Sequence, residues 1–231
     1  MTDPAAPVPL RAVLWDMDGT LVDTEPYWMA AETPLVESYG GTWTHEQALG
    51  LVGLGLHDSA RILQEAGVRM QEDAIIDHLT DRVMGQLREL GNPFRPGARE
   101  LLAQLRDAGI RTGLVTMSLR RMAETVVEQI PFEAFDVIVA GDDAVRPKPF
   151  PEPYLQACEA LGITPAEVVA IEDSPNGLRS ALASGAATIG VPMMVSLTGV
   201  GAHALWPSLE GRGAADVVAF HADHRAKESS R

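Results

Sequence analysis

Two aspartates stand two residues apart at the end of an apolar run: AVLW is followed by Asp16, Met17, Asp18, Gly19 and Thr20. A run with nothing polar inside it has the pattern of a strand buried on both faces. Period-two geometry at its terminus aims both carboxylates toward one point, and Gly19 lets the chain turn away sharply. Converging carboxylates can bring a nucleophile and a proton carrier to a single substrate atom. In isolation such a pair reads as a solvated turn or a helix cap. An apolar strand followed by fixed Asp, Asp, Gly and Thr arises by chance on the order of once per hundred thousand positions at average residue usage.

Three more polar clusters follow apolar runs. Thr116 and Ser118 come after GLV and before the helical run LRRMAETVVEQI. Either could cap that helix, and the helix start adds backbone donors suited to an anion. Lys148 lies between Pro147 and Pro149 in a chain with 16 Arg and only two Lys. A Lys at that point suggests a compact ammonium where a planar guanidinium would not serve, whereas Lys227, in a polar tail, reads as solvated. Glu172 and Asp173 end the run VVAI and lead into Ser174 and Pro175, a helix start with Pro at its first position.

The elements that must position these groups fall into two kinds. Between Glu25 and about Leu90 the segments PYWMAAETPLVESYG, HEQALGL, DSARILQEAG and EDAIIDHLTDRVMGQLREL carry apolar residues at helical spacing. From Pro96 onward helices at 97–108, 119–129, 153–161 and 175–184 alternate with strands at 111–115, 136–140, 168–171, 188–191 and 215–220. Alternation of this kind predicts a parallel sheet covered by helices on both faces, with ligands at the carboxyl ends of its strands. Residues 193–213 give no clear pattern, and the polar tail from His221 is expected to fray.

Composition narrows the function. The 231 residues are 46% hydrophobic and 22% charged, enough for an α/β domain with a smaller insertion. A net charge of −14 argues against a nucleic-acid or anionic-membrane partner. It would also repel a phosphate ester unless a bound cation reverses the local field. The start of the chain lacks the pattern of a signal peptide, and no segment is apolar for long enough to span a bilayer, so a cytoplasmic location is expected. Cys158 is the only cysteine, which excludes an intramolecular disulfide.

The stretch AVLWDMDGTLVDTEPYW resembles the first signature of the haloacid dehalogenase superfamily. That resemblance makes Asp16 the nucleophile and Asp18 the general acid/base, and the second Asp favours phosphoryl transfer over dehalogenation. Thr116, with Ser118 beside it, matches the phosphoryl-binding signature, and Lys148 the one that holds nucleophile and phosphate together. Glu172 and Asp173 match the magnesium-binding signature. The implied Mg2+ ligands are Asp16, the backbone carbonyl of Asp18, Asp173, and Glu172 directly or through water, with Asp142 and Asp143 supporting the loop.

The implied fold is α/β, a Rossmann-like parallel sheet core of residues 1–22 and 92–231 with an inserted all-helical cap domain at 23–91. Substrate choice is expected in the cap, where GLVGLGLHDSA is the candidate loop and Glu25, His57 and Arg61 the candidate residues. His57 reads equally as a solvated loop residue, while Trp28, Trp43 and Met84 read as core. The cap contains no Lys, which argues against the phosphonate-cleaving branch. The nearest group is the sugar-phosphate phosphatases and β-phosphoglucomutase-like enzymes, acting on a small phosphorylated metabolite as a monomer or weak homodimer. Leu56 stands where the mutase has an Arg, so hydrolysis leads and the phosphosugar mutase is the alternative. A regulatory protein that keeps only the fold is disfavoured by the intact polar set.

Overall fold

In the computed structural model, which describes residues 8–230, the run Ala12–Trp15 forms strand β1 and all four of its side chains are fully buried. It lies between β2 (Arg111–Val115) and β4 (Val168–Glu172), parallel to both, with Trp15 level with Leu114 on one side and Ile171 on the other. The full order is β3-β2-β1-β4-β5-β6, with β3 at Val137–Val139, β5 at Ala187–Gly190 and β6 at Ala204–Leu205. All five pairings are parallel. Strand order reverses direction between β1 and β4, so a crevice opens beyond their carboxyl ends.

Successive residues of β1 serve opposite faces of the sheet. Val13 and Trp15 join a cluster with Leu101, Leu102 and Leu105 of α5 (Ala98–Asp107), Met122 and Val126 of α6 (Arg120–Val127), and Val217 of α9 (Ala214–Ser229). Ala12 and Leu14 join Tyr154, Ala157 and Cys158 of α7 (Glu152–Leu161) and Ala181 of α8 (Pro175–Ser184). Burial of each large side chain of β1 is worth about 2 kcal/mol, so the strand that ends in Asp16 is anchored from both sides.

The insertion hangs from a two-stranded neck. Asp23 donates its amide to the Pro93 carbonyl at 2.8 Å, and Arg95 to that of Leu21 at 3.0 Å. Beyond it lie α1 (Glu25–Ser38), α2 (His45–Leu49), α3 (Leu56–Glu65) and α4 (Glu72–Leu90). Their apolar stripes close on a cluster of their own, including Leu35, Val36, Leu63, Ile75 and Leu79. Toward its end α4 leaves that cluster, and Val83, Met84 and Leu87 pack into the sheet's core instead. Arg121 of α6 pairs with Asp77, at 2.7 Å, and with Asp81 on the same helix.

Two expectations fail at the end of the chain. Residues 215–220, predicted as a strand, are the first turns of α9, and the tail expected to fray is helical through Ser229. AADVVAF is too short an apolar run for periodicity to separate strand from helix. Val217 and His221, four apart, are both buried, and His221 Nε2 meets the Ala166 carbonyl at 2.9 Å. The last strand is Ala204–Leu205, within the stretch that showed no pattern.

One polar pair is enclosed within the helical unit. Glu32 of α1 is buried and its Oε2 accepts the Trp43 indole N–H at 3.0 Å. Burial pushes this carboxyl up from 4.5 to about 7, against the opposing pull of the indole hydrogen bond. Between those two values the folded chain keeps a proton that the unfolded chain has lost, so stability falls as pH rises through that window and levels off above it. Glu32→Gln preserves an acceptor for the indole without the charge. It is expected to raise the thermal midpoint by several degrees at pH 8 and to leave it unchanged at pH 4, read by calorimetry; equal midpoints at both would show that Glu32 is not destabilised by ionisation.

Candidate active site

Of the polar groups singled out from sequence on the sheet side, all but Lys148 stand at the carboxyl end of a strand, on the same edge. Asp16 follows β1 with its amide still bonded to Ile171 O at 3.1 Å, Thr116 follows β2 in the same way through Val139 O at 2.9 Å, and Glu172 is the last residue of β4. Lys148 arrives from the segment between β3 and α7. The residue is 5% exposed, and its ammonium spends all three protons: on Asp16 Oδ1 at 2.7 Å, Glu172 Oε1 at 2.6 Å and the Val115 carbonyl at 2.8 Å. Burial disfavours its ammonium, but the charges of Asp16 and Glu172 together outweigh that and hold it above the ordinary lysine range. A three-way bridge of this kind requires three donors on one atom, which a guanidinium does not offer.

Asp18 is held differently. Oδ1 accepts the Thr24 hydroxyl at 2.5 Å and the Trp28 indole at 3.2 Å; Oδ2 accepts the Ser118 hydroxyl at 2.7 Å and the Thr116 hydroxyl at 3.3 Å. Thr116 and Ser118 therefore do not cap α6. That helix starts after Leu119 with no side-chain cap, and Asp142 accepts the Arg120 amide at 2.8 Å. Asp143 pairs with Arg120 and accepts the Ala140 amide at 2.8 Å, so both aspartates brace the end of β3 against the start of α6 and not the Glu172–Asp173 loop they were expected to support.

Asp16, Glu172 and Asp173 each present an oxygen within 4.8 Å of the others, and all three are buried. Asp173 Oδ1 accepts the Thr20 hydroxyl at 3.2 Å, but its Oδ2 is buried with no donor. Burial, and then the Glu172 charge, push Asp16 up to about 7 despite the pull of Lys148; burial and then Asp16 push Asp173 well above the carboxylate range. One ammonium does not balance three carboxylates, and buried oxygens this close together, one of them without a protein donor, would suit a hard divalent cation. Two glycines permit the approach. Gly19, at φ +80°, would place a Cβ 2.1 Å from Asp173 Oδ2, and a Cβ on Gly177 would fall 1.9 Å from Glu172 Oε2. Ser174 meanwhile caps α8 by accepting the Gly177 amide at 3.0 Å, so the acidic pair and the helix start coexist.

The helical unit closes over this edge. A cavity of about 90 Å³ is lined on the sheet side by Asp16, Asp18, Thr116, Lys148 and Asp173, and on the helical side by Glu25, Trp28, Glu32, Leu54 and Leu56 among others. Gly53 touches the sheet side: its carbonyl accepts the Asn176 amide at 3.1 Å, and a Cβ there would fall 2.6 Å from Ser174 Cβ.

Of the candidate specificity residues, Glu25 lines the cavity, buried and pushed up to about 8 by burial first and by Asp18 next. His57 and Arg61 do not line it. His57 lies 3.2 Å from Glu72, and Arg61 pairs with Asp58 at 2.9 Å and Glu72 at 3.6 Å, all on α3 and α4. The segment expected to be a loop at His57 is the first turn of α3, which turns both side chains toward α4. Trp43 and Met84 are buried as expected, but Trp28, also assigned to the core, reaches Asp18 as well as packing.

Sequence reasoning passed over four further residues. Thr24 occupies the N-cap of α1 yet caps nothing, because its hydroxyl goes to Asp18. Tyr154 donates to Glu172 Oε1 at 2.6 Å. Arg95 donates to the carbonyls of Gly19 at 2.6 Å and Val191 at 2.8 Å, pinning the turn after Asp18. Glu32 was hidden inside a helical run. Only Thr24 carried a usable signal, a good capping residue so close to the aspartate pair.

Known proteins bear the same organisation. A profile of the haloacid dehalogenase-like hydrolase family matches residues 13–191. The phosphorylated carbohydrates phosphatase of Thermotoga maritima is 32% identical over 180 residues, spanning 76% of this chain and 82% of its own. The N-acetylmuramic acid 6-phosphate phosphatase of Pseudomonas aeruginosa is 34% identical over 188 residues, 79% of this chain and 81% of its own. The crystal structure of CbbY from Rhodobacter sphaeroides in complex with phosphate superposes with a TM-score of 0.80 at 31% identity, covering 89% of this chain and 98% of that one. With the match running from within β1 past the end of β5, over the strands that carry Asp16, Thr116 and Glu172, the chain belongs to the haloacid dehalogenase-like hydrolase family.

Proposed function

We propose that the protein hydrolyses the phosphate monoester of a small, sugar-like metabolite, with Asp16 as nucleophile and Asp18 as general acid and base. The enzyme is a phosphoric monoester hydrolase. Relatives that are phosphatases support the class, and the different settings of the two aspartates support the roles. Asp16 is oriented by an ammonium through one oxygen, Oδ1, with no protein donor on the other. Its free oxygen can attack phosphorus as the bond to the leaving oxygen breaks, giving an aspartyl-phosphate. Asp18, protonated for that step, gives its proton to the leaving alkoxide, then takes one from the water that attacks phosphorus and frees Asp16. Three of the four partners of Asp18 are hydroxyls, which can turn from donating to accepting, so the carboxyl gains and loses a proton without losing its position.

Asp16, Asp173 and Glu172, with the carbonyl of Asp18, would hold Mg2+, which when bound neutralises phosphoryl oxygens and offsets the carboxylates. Thr116 and Ser118 would hydrogen-bond the phosphoryl group, and Lys148 would hold it against Asp16. A mutase must also bind the phosphate that is not reacting, which calls for a cation in the cap. The helical side of the cavity offers Leu56 and no cation, and His57 and Arg61 are committed to carboxylates of α3 and α4. Hydrolysis is therefore favoured over transfer back to sugar.

Asp16→Asn is expected to fold normally by circular dichroism and to lose turnover by at least about a thousandfold, because the amide cannot attack; activity within tenfold of the parent would remove Asp16 as nucleophile. Lys148→Arg should be nearly as impaired despite its charge, since the fork cannot bridge three acceptors from one atom. Chelation should abolish phosphate release and magnesium restore it, with calcium a poor substitute. Turnover undiminished in metal-free buffer would exclude the metal assignment.

A further inference from the structure

Helix α1 carries Glu25, Trp28 and Glu32 at spacings of three and four, which puts them on one face, and all three line the cavity. At about 1.5 Å per residue, Glu25 and Glu32 sit roughly 10 Å apart along the helix. Trp28 between them touches Asp18, so Glu25 and Trp28 mark the reacting end and Glu32 the far end. Neither glutamate is spoken for. The Glu25 carboxyl is on a residue 9% exposed and has no hydrogen-bond partner, and Glu32, 5% exposed, has only the Trp43 indole on Oε2. Buried carboxyls in contact with a cavity and short of donors require them from whatever fills it.

The rest of that wall offers no donor of charge. Leu51, Leu54, Leu56, Ile75 and Leu79 supply apolar surface, and the only cation on the whole lining is Lys148, whose protons are already used. An anionic group on the leaving portion of a substrate would therefore face like charge with nothing to pair it. Hydroxyls would satisfy both glutamates while the carbon skeleton lies on the leucines.

We infer that Glu32, with Glu25, forms a leaving-group subsite that selects phosphate monoesters of uncharged polyhydroxy compounds and rejects those bearing a second anionic group. The inference rests on the phosphatase reading and narrows it to a substrate class. Glu32 is its specificity-determining residue, because it meets the end of the substrate that differs from one metabolite to the next.

Glucitol 6-phosphate and 6-phosphogluconate differ only at the far carbon, a hydroxymethyl against a carboxylate. At pH 8 with magnesium, kcat/KM by phosphate release is expected to favour the polyol by about a hundredfold or more, the scale of a buried like-charge clash. In Glu32→Gln that ratio should shrink by about tenfold, through a gain for the acid and a loss for the polyol. Equal kcat/KM for the two substrates, or a ratio unchanged in the variant, would overturn the subsite. So would hydrolysis of p-nitrophenyl phosphate with neither hexose derivative accepted, which would leave the phosphatase reading standing. Failure with all three esters would overturn that reading itself.

Discussion

The ammonium of Lys148 is the point on which the site turns. It is one positive charge against three buried carboxylates, and it touches two of them. Removing one partner of a buried pair costs about 3–5 kcal/mol, so the strands that deliver Asp16 and Glu172 and the segment that delivers Lys148 are tied to one another through this atom. Tyr154 adds a neutral donor to the same oxygen of Glu172 and, with burial and that carboxylate raising its phenol, stays a donor. Gly19 and Gly177 are required because the carboxylates lie where any side chain would be. What the arrangement leaves unbalanced, including the bare Oδ2 of Asp173, is the charge that a divalent cation would carry.

The helical unit holds Asp18 as well as enclosing the cleft. Thr24 and Trp28, at the start of α1, hold one oxygen of Asp18, while Thr116 and Ser118 hold the other from the sheet. Asp18 is thus gripped from both sides of the cleft, and its orientation depends on the two units being together. Gly53 against Ser174 and Asn176 marks the far edge of the same closure. Because α1 also carries Glu25 and Glu32, the helix that holds Asp18 is the one that would contact a leaving group on the proposed reading. On that reading a substrate that fits the glutamates would favour the arrangement in which Asp18 is held from both sides, the usual way that closure couples recognition to chemistry.

Much of this was legible in the sequence, and the failures have specific causes. Asp16, Asp18, Thr116 and Asp173 sit just past an apolar strand and Glu172 ends one, and in a parallel sheet strand ends converge, so order along the chain gathers them; Lys148 enters from the longer segment between β3 and α7. Residues 215–220 misled because six residues, apolar but for Asp216, fit a strand or a buried helix equally, and Val217 and His221 decide between them only through packing. His57 and Arg61 misled because their reach depends on which way the first turn of α3 faces, a property of its packing on α4. Trp28 was assigned to the core from its spacing. It does pack there, but an indole also has an N–H that must find an acceptor, and the acceptor was the catalytic candidate ten residues earlier. Glu32 was invisible, since a carboxyl inside an amphipathic run ordinarily faces water.

An acidic protein that handles phosphate esters faces a problem of charge, with −14 overall and five carboxyls on the lining of its cavity. The arrangement divides that problem by position. On the proposed reading, the negative charge around the phosphoryl group would recruit a divalent cation that, with Lys148, would reverse the field over a few ångströms. Toward the leaving group no such reversal exists, and burial raises the cost of any anion there well beyond its cost in water. Selectivity then follows from leaving positive charge out of the cap. Burial raises both carboxyls, Glu25 to about 8 and Glu32 to about 7, so each loses its proton less readily than a surface glutamate and gains from hydroxyl partners, while at the upper end of that range both carry the charge that an anion would meet. An apolar pair in their place would pack better and discriminate less, and that difference is the physical reason for reading them as recognition elements.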